Sequence, residues 1–485
     1  MTNNDAHAIL KELAEFEFPS VIKASLFFAL FKTYGIPSIA DLLVETGQLA
    51  NMSTSSKRAA DTSVILNEVS INHPTSERAI EGISRMNYLH NGYRKAGKIS
   101  DADMLYTLSL FTLEPMRWIR RFEWRLLTDL EKCAFATFWK GLGDAMDIPY
   151  TALKSGETGW PDGLQWLEEL EAWSLDYEDK AMVPAESNKR LALNTVDLLF
   201  WQLPHSWRGI ADKFVVALLE PRLRIAMMFP NSPQKYHSLL AAFIHLRRLL
   251  LRYLFLPRPW FMRTPYIPTH PDPITGRFHM RKYRSHPWYM KPTLWRRWGP
   301  KAWLTWGVGG VLPGDDGDKY HPEGYLVAEA GPEHKRGKGK SEMADTQARL
   351  HKQNRGGYAL IPCRHPPESS NLTRIRPRPQ GGSLQSDIEK IPHFWRHPNP
   401  HNRRSGYQTV TQCTDPGYAM ELTTMSAAVE LEEREVKYDE PPDLGELPSW
   451  ASDHGWDSDD DWGDDKEDSF DSLGSPPLMN QPHIS

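Results

Sequence analysis

The chain has 485 residues, 40% of them apolar, with 57 Lys and Arg against 62 Asp and Glu, for a formal net charge of −5. That length exceeds the usual size of one compact core, so a large domain with additions, or two domains, is expected. Three widely spaced cysteines, Cys133, Cys363 and Cys413, exclude a disulfide framework and a thiolate metal cluster, and fit a reducing compartment. The opening text, MTNNDAHAILKELAEFEF, lacks a charged stretch followed by an apolar run. Neither a cleavable signal nor secretion is expected.

From about residue 8 to residue 260, apolar residues recur at helical spacing. HAILKELAEFEF predicts a short helix, and SVIKASLFFALFKTYGI a more apolar one stopped by Gly35 and Pro37. Ser100 with Asp103 opens a helix over DADMLYTLSLF, and Thr128 with Glu131 opens another over DLEKCAFATFWKGLGDAM. Pro115 is placed in a first helical turn, where a missing N–H costs nothing. DGLQWLEELEAWSLDYE, LALNTVDLLFWQ, WRGIADKFVVALL and KYHSLLAAFIHLRRLLLRYLF continue the pattern, and no regular strand is evident. The expected class is mostly α: a helical core over 1–260, a Pro/Trp/Arg-rich module packed on it over 261–340, and a low-complexity segment over 341–485. That last segment reads as disordered and, toward its end, acidic; mean hydropathy of the whole chain is −0.54.

No stretch reaches the length of uncharged apolar text that spans a membrane. LLAAFIHLRRLLLRYLFLPRPWFM, with Arg247, Arg248 and Arg252 among Leu and Phe, reads equally as a helix lying in a membrane interface or as an amphipathic helix on the domain with its arginines in water. Asn51-Met-Ser and Asn371-Leu-Thr match the glycosylation pattern, which is common by chance. The basic aromatic text WYMKPTLWRRW lacks a clustered basic helix, and the acidic tail repels phosphates; no nucleic acid is expected.

Phosphate loops, dinucleotide fingerprints, HExxH, CxxC pairs and nucleophile elbows are all missing. What stands out is a histidine. Ile83, Met86, His90 and Tyr93 form one apolar stripe on a helix, which turns His90 inward. A lone inward histidine is ordinarily a core residue; it is also how a haem iron is held, by a neutral nitrogen among apolar walls. His205 and His245 are rivals for that role. Upstream, Arg58 and Thr62 share a helix face, with Asp61 beside them.

The text from KRAADTSVILNEV through YLHNGYRKAGKISDADMLYTL to FWKGLGDAMDI, with HPWYMKPTLWRRWGPKAW and KYHPEGYLVAEAGP, resembles the fungal branch of the MpaB / rubber oxygenase catalytic-domain family over roughly 15–340. The resemblance implies a helical fold holding haem b through one histidine, and oxidation of alkenes in lipophilic isoprenoid substrates with dioxygen. Carried over, His90 is the iron ligand, and Arg58 and Thr62 lie near the oxygen side. Arg85 and Arg94 are candidates for the haem propionates. Asp61 replaces a lysine of the bacterial members, which suggests an open or water-occupied sixth position. The resemblance also implies association with an internal membrane, the endoplasmic reticulum. Two other readings compete: a non-catalytic membrane-surface or interaction protein that keeps the fold, and a haem sensor or carrier.

Overall fold

The computed structural model describes residues 1–47, 52–283 and 285–356. Among them the chain is mostly helical and has no strand; one isolated antiparallel bridge joins Phe278 to Tyr325. In order, the helices are α1 (Asn3–Glu12), α2 (Pro19–Thr33), α3 (Pro37–Glu45), α4 (Met52–Ile71), α5 (Glu77–Lys95), α6 (Asp101–Phe122), α7 (Asp129–Ala145) and α8 (Gly163–Ala181). Then come α9 (Glu186–Leu199), α10 (His205–Leu218), α11 (Pro221–Ala226), α12 (Gln234–Tyr253), α13 (Leu294–Trp298), α14 (Pro300–Gly307) and α15 (Lys340–Gly356).

The boundary signals act as expected. Ser100 accepts from the Asp103 amide to open α6, and Thr128 forms a full capping box with Glu131 at α7. Pro115 does not: α6 runs through it to Phe122, so it sits inside a helix rather than in a first turn. Leu110, Leu113 and Ile119 around it are fully buried. Their packing outweighs the ~3 kcal/mol that an interior proline costs.

The core forms where α2 lies along α6, α1 along α7, and α7 against α8. Phe18, Leu105, Leu113, Phe135 and Trp166 meet there, each withdrawn from water. Into this interior α2 carries Lys32, whose ammonium lies 2.9 Å from Glu220, 3.0 Å from Glu178 and 3.3 Å from Glu114. Burial opposes its charge, but the three carboxylates outweigh burial and raise its pKa above the ordinary value. The ionic knot ties α2, α6, α8 and the start of α11 together, and stranding any member is costly.

No single helix among the described residues is long and apolar enough to cross a membrane; α2 and α3 pass only as a pair bent by 89°. In α12 Arg247 and Arg248 do not point into water. Arg247 donates to the Phe122 carbonyl at 2.7 Å and pairs with Glu123 at 2.8 Å, while Arg248 donates to the carbonyls of Arg120 and Arg121. These arginines therefore satisfy the C-terminal end of α6 rather than pointing into water. Leu239, Phe243, Leu246, Leu249 and Tyr253, one stripe at helical spacing, face outward instead and are each more than half exposed.

α4 and α5 form an antiparallel hairpin, and α15 packs on α5 with Met343 and Leu350 buried. The low-complexity boundary expected at 341 is thereby corrected: order continues through Gly356, because two apolar residues seven apart anchor an otherwise polar helix. The expected disorder and acidic tail, over 357–485, lie outside the described residues, as do Asn51 and Asn371 of the two glycosylation motifs, Cys363 and Cys413.

Candidate functional site

Arg58 lies as far before the end of α4 as His90 lies beyond the start of α5, so antiparallel packing sets the two opposite each other. The His90 imidazole bonds the Met86 carbonyl through Nδ1 at 2.7 Å, one turn back along α5. That bond places the proton on Nδ1 and leaves Nε2 with a bare lone pair and, among the described residues, no partner. Burial, with the charges of Arg58, Lys335 and Arg94, lowers its pKa; the Met86 bond opposes them without reversing the shift. The imidazole is therefore neutral.

Among the described residues the Arg58 guanidinium and the Thr62 hydroxyl donate to nothing. Arg58 acts electrostatically on Tyr34, at the end of α2, whose hydroxyl also bonds Thr195 of α9. Burial raises Tyr34 and lowers His90, yet both side chains keep some accessible surface, as do Arg58 and Thr62. Side chains that are deep and still accessible line an interior space. Tyr34, Thr195 and Lys335 carry no periodic signal that marks them in the sequence; only the packing of α2, α9 and the 261–340 module on the hairpin brings them here.

The two propionate candidates, Arg85 and Arg94, make other contacts. Arg85 is completely buried, and its guanidinium donates to the carbonyls of Ala330 at 2.8 Å, Lys335 at 3.1 Å and Lys338 at 3.2 Å. It clamps the module to α5 and is not free for a propionate. Arg94 donates to the carbonyls of Met146 and Asp147, each at 3.0 Å, and to Asp101 at 3.2 Å, closing the end of α7. The His245 side chain is exposed on α12, away from the hairpin, while His205 opens α10.

Asp61 turns toward the module. Its carboxylate accepts from the Tyr289 hydroxyl at 2.6 Å and from Lys57 at 2.8 Å. Lys57 also reaches the Gly331 carbonyl at 3.0 Å and Glu333 at 3.2 Å. Burial raises Asp61, with Lys57 and Tyr289 pulling it down. Tyr289 and His321, stacked 5.7 Å apart, both hold left-handed backbone, at φ +58 and +51. Neither is glycine, so packing against α4 over-determines a costly conformation. The hairpin thus has two working faces: 58 and 62 toward the interior space, 57 and 61 toward the module.

No family profile matches the chain. Among curated proteins it is 43% identical over 350 residues to the ER-bound oxygenase mpaB' of Penicillium brevicompactum, covering 72% of this chain and 82% of the relative. It is 44% identical over 324 residues to the ER-bound oxygenase mpaB of the same species, covering 67% and 76%. With the ER-bound oxygenase mpaB of Penicillium roqueforti (strain FM164), identity is 46% over 229 residues, or 47% and 77%. Identity of 43–44% over 67–72% of the chain leaves one conclusion: the chain belongs to the family of the ER-bound oxygenase MpaB and is an oxidoreductase of the oxygenase class.

Proposed function

We propose that the chain is a haem b-dependent oxygenase that oxidises or cleaves a carbon–carbon double bond of an isoprenoid-like, lipophilic substrate. One observation carries the reading: a neutral His90 with Nδ1 committed to Met86 faces an interior space shared with an arginine that, among the described residues, donates to no protein group. The donor set fits haem. Among the described residues no group of three His, Cys, Asp or Glu side chains is placed to hold a metal ion. A single imidazole suits a metal whose other in-plane donors come from a macrocycle.

When bound, haem supplies the activation of dioxygen that no side chain provides. The protein's own residues do the rest. His90 would hold the iron through Nε2, and the burial and cations that keep it neutral remove the proton that competes for that nitrogen. Arg58 would steady negative charge on oxygen, and the Thr62 hydroxyl would donate to it. Asp61, turned away and bonded to Tyr289, would not serve as an iron ligand.

The surface supports this substrate class and a membrane setting. The relatives are named ER-bound, and α12 presents an apolar stripe to the outside. Trp260, Trp295, Trp298, Trp303 and Trp306 are more than half exposed as well. Aromatic and leucine side chains beside arginine and lysine suit the headgroup layer of a membrane, where a lipophilic alkene concentrates. We assign this chain to the endoplasmic reticulum membrane surface.

The test is the absorption spectrum of the purified chain beside His90→Ala. A Soret band in the wild type, lost or shifted in a variant that keeps its far-UV circular dichroism, is expected. A wild type that takes up no haem under adequate supply overturns the reading and returns His90 to a packing role.

A further inference from the structure

From residue 221 to residue 271 the chain holds eight Lys and Arg and no Asp or Glu. That stretch carries the outward stripe of α12, and the bare apolar surface does not end with the helix. Leu254, Phe255, Leu256, Trp260, Phe261 and Met262 follow it, each between 56% and 89% exposed. A ridge of this length marks a contact surface, and cations without acids among them select an anionic partner.

The opposite face of α12 is built differently. His237, Leu240, Ile244, His245 and Arg248, at i, i+3, i+7, i+8 and i+11, share that face. They line an open cleft of about 210 Å³ between α12, α10 and the end of α6, where Arg121 completes it. Among the described residues no carboxylate lines this cleft. The contrast along α6 shows what that means. Burial opposes the charge of Arg117, but contact with Glu114 and Glu171 raises its pKa; one turn later burial lowers Arg121, and Glu220 and Glu114 do not reverse the shift. Glu220 is held by Lys32 at 2.9 Å, and Glu123 by Arg247 at 2.8 Å. The cleft thus carries positive charge without a counter-charge of its own.

With its side chains a helix is about 10 Å across, so one whose apolar ridge dips below the headgroups holds its opposite face near the phosphates. We propose that α12 and the 254–262 stretch lie in the interface of a bilayer containing anionic lipid, and that the cleft lined by Arg121, His237, His245 and Arg248 takes the phosphate of a glycerophospholipid. The inference rests on the membrane reading above and adds to it the charge of the lipid and a headgroup site. Guanidinium and imidazole N–H groups donate to phosphate oxygens, and Leu240 and Ile244 give the cleft an apolar flank for the glycerol end of the chains.

The full-length chain is sedimented with vesicles of phosphatidylcholine, alone and mixed with phosphatidic acid. Wild type is expected to favour the mixed vesicles at least about tenfold, since each basic residue at an anionic surface contributes roughly fivefold. Binding to both vesicles without preference overturns the lipid-charge assignment. Binding to neither overturns the membrane reading itself, and a stable dimer in sedimentation velocity then places a second copy on the ridge. The cleft is tested with a short-chain phosphatidic acid below its micelle concentration, followed by the width of its phosphorus resonance. Wild type and Arg252→Gln, whose site is the exposed end of α12, are expected to broaden the line. Arg121→Gln, with circular dichroism unchanged, is expected to lose most of the broadening. Equal loss in both variants, or none in Arg121→Gln, overturns the cleft as the phosphate site. Inorganic phosphate at the same concentration is expected to stay sharp; equal broadening there makes the cleft a site for free anions and overturns the lipid assignment.

Discussion

The α4–α5 hairpin and α12 are built from similar text, leucines and isoleucines interleaved with arginines, yet they are folded in opposite senses. In the hairpin, Val64, Ile65, Ile80 and Ile83 go inward, and polar side chains either bond the module or face the interior space. In α12 Arg247 and Arg248 go inward to the end of α6 and the large apolar side chains go out. Amphipathicity alone therefore does not say which face is the buried one. What decides is whether a neighbour offers unsatisfied carbonyls, as α6 does, or apolar surface, as the core does.

Three perturbations break or sharpen this contrast. The largest effect is expected in the hairpin: Arg85→Met strands three buried carbonyls, so unfolding by urea should show a loss of about 3 kcal/mol. The 331–338 segment should become cleavable by protease in the same variant. Unchanged stability and protection in that variant would mean that the clamp does not hold the module.

A second, smaller effect is a pH window. Burial lowers His7 to about 4, against its bond to the Ile71 carbonyl at 3.0 Å. Between its ordinary value of 6.5 and about 4, the unfolded chain binds the proton and the folded chain does not. Stability should therefore rise with pH through that window and be lost as pH falls, by at most a few kcal/mol. His7→Asn should flatten the slope of stability against pH; an unaltered slope assigns the acid sensitivity elsewhere.

The smallest stability effect is expected in α12. Phe243→Glu with Leu246→Glu lies on the outward stripe and should change stability by no more than about 0.5 kcal/mol per site. Flotation with vesicles of mixed zwitterionic and anionic lipid should fall sharply in the same protein. Retained flotation would detach the membrane reading from this stripe.

Much of this was legible beforehand. The helices followed from apolar period, and the starts of α6 and α7 from Ser100 and Thr128, because caps act within one turn. That Arg58 and Thr62 share a helix face and that His90 turns inward could be read from spacing alone, a local signal as well. The partners of Arg85 and Asp61 could not, since they lie 245 and 228 residues away and leave no periodic trace. Pro115 misled because a local rule was overridden by the packing of Leu110, Leu113 and Ile119. α15 was hidden because two apolar residues in polar text fall below any compositional signal.

The distance between the hairpin and its module has a consequence for how the chain is made. At roughly 5–20 residues per second, a ribosome that has finished α5 needs on the order of ten to fifty seconds to deliver Tyr289 and Ala330. Until then Arg85 lacks the carbonyls it clamps, and Asp61 has only Lys57 of its own helix as a partner. The half of the site that carries His90 is thus made first, and its completion waits for the module to arrive.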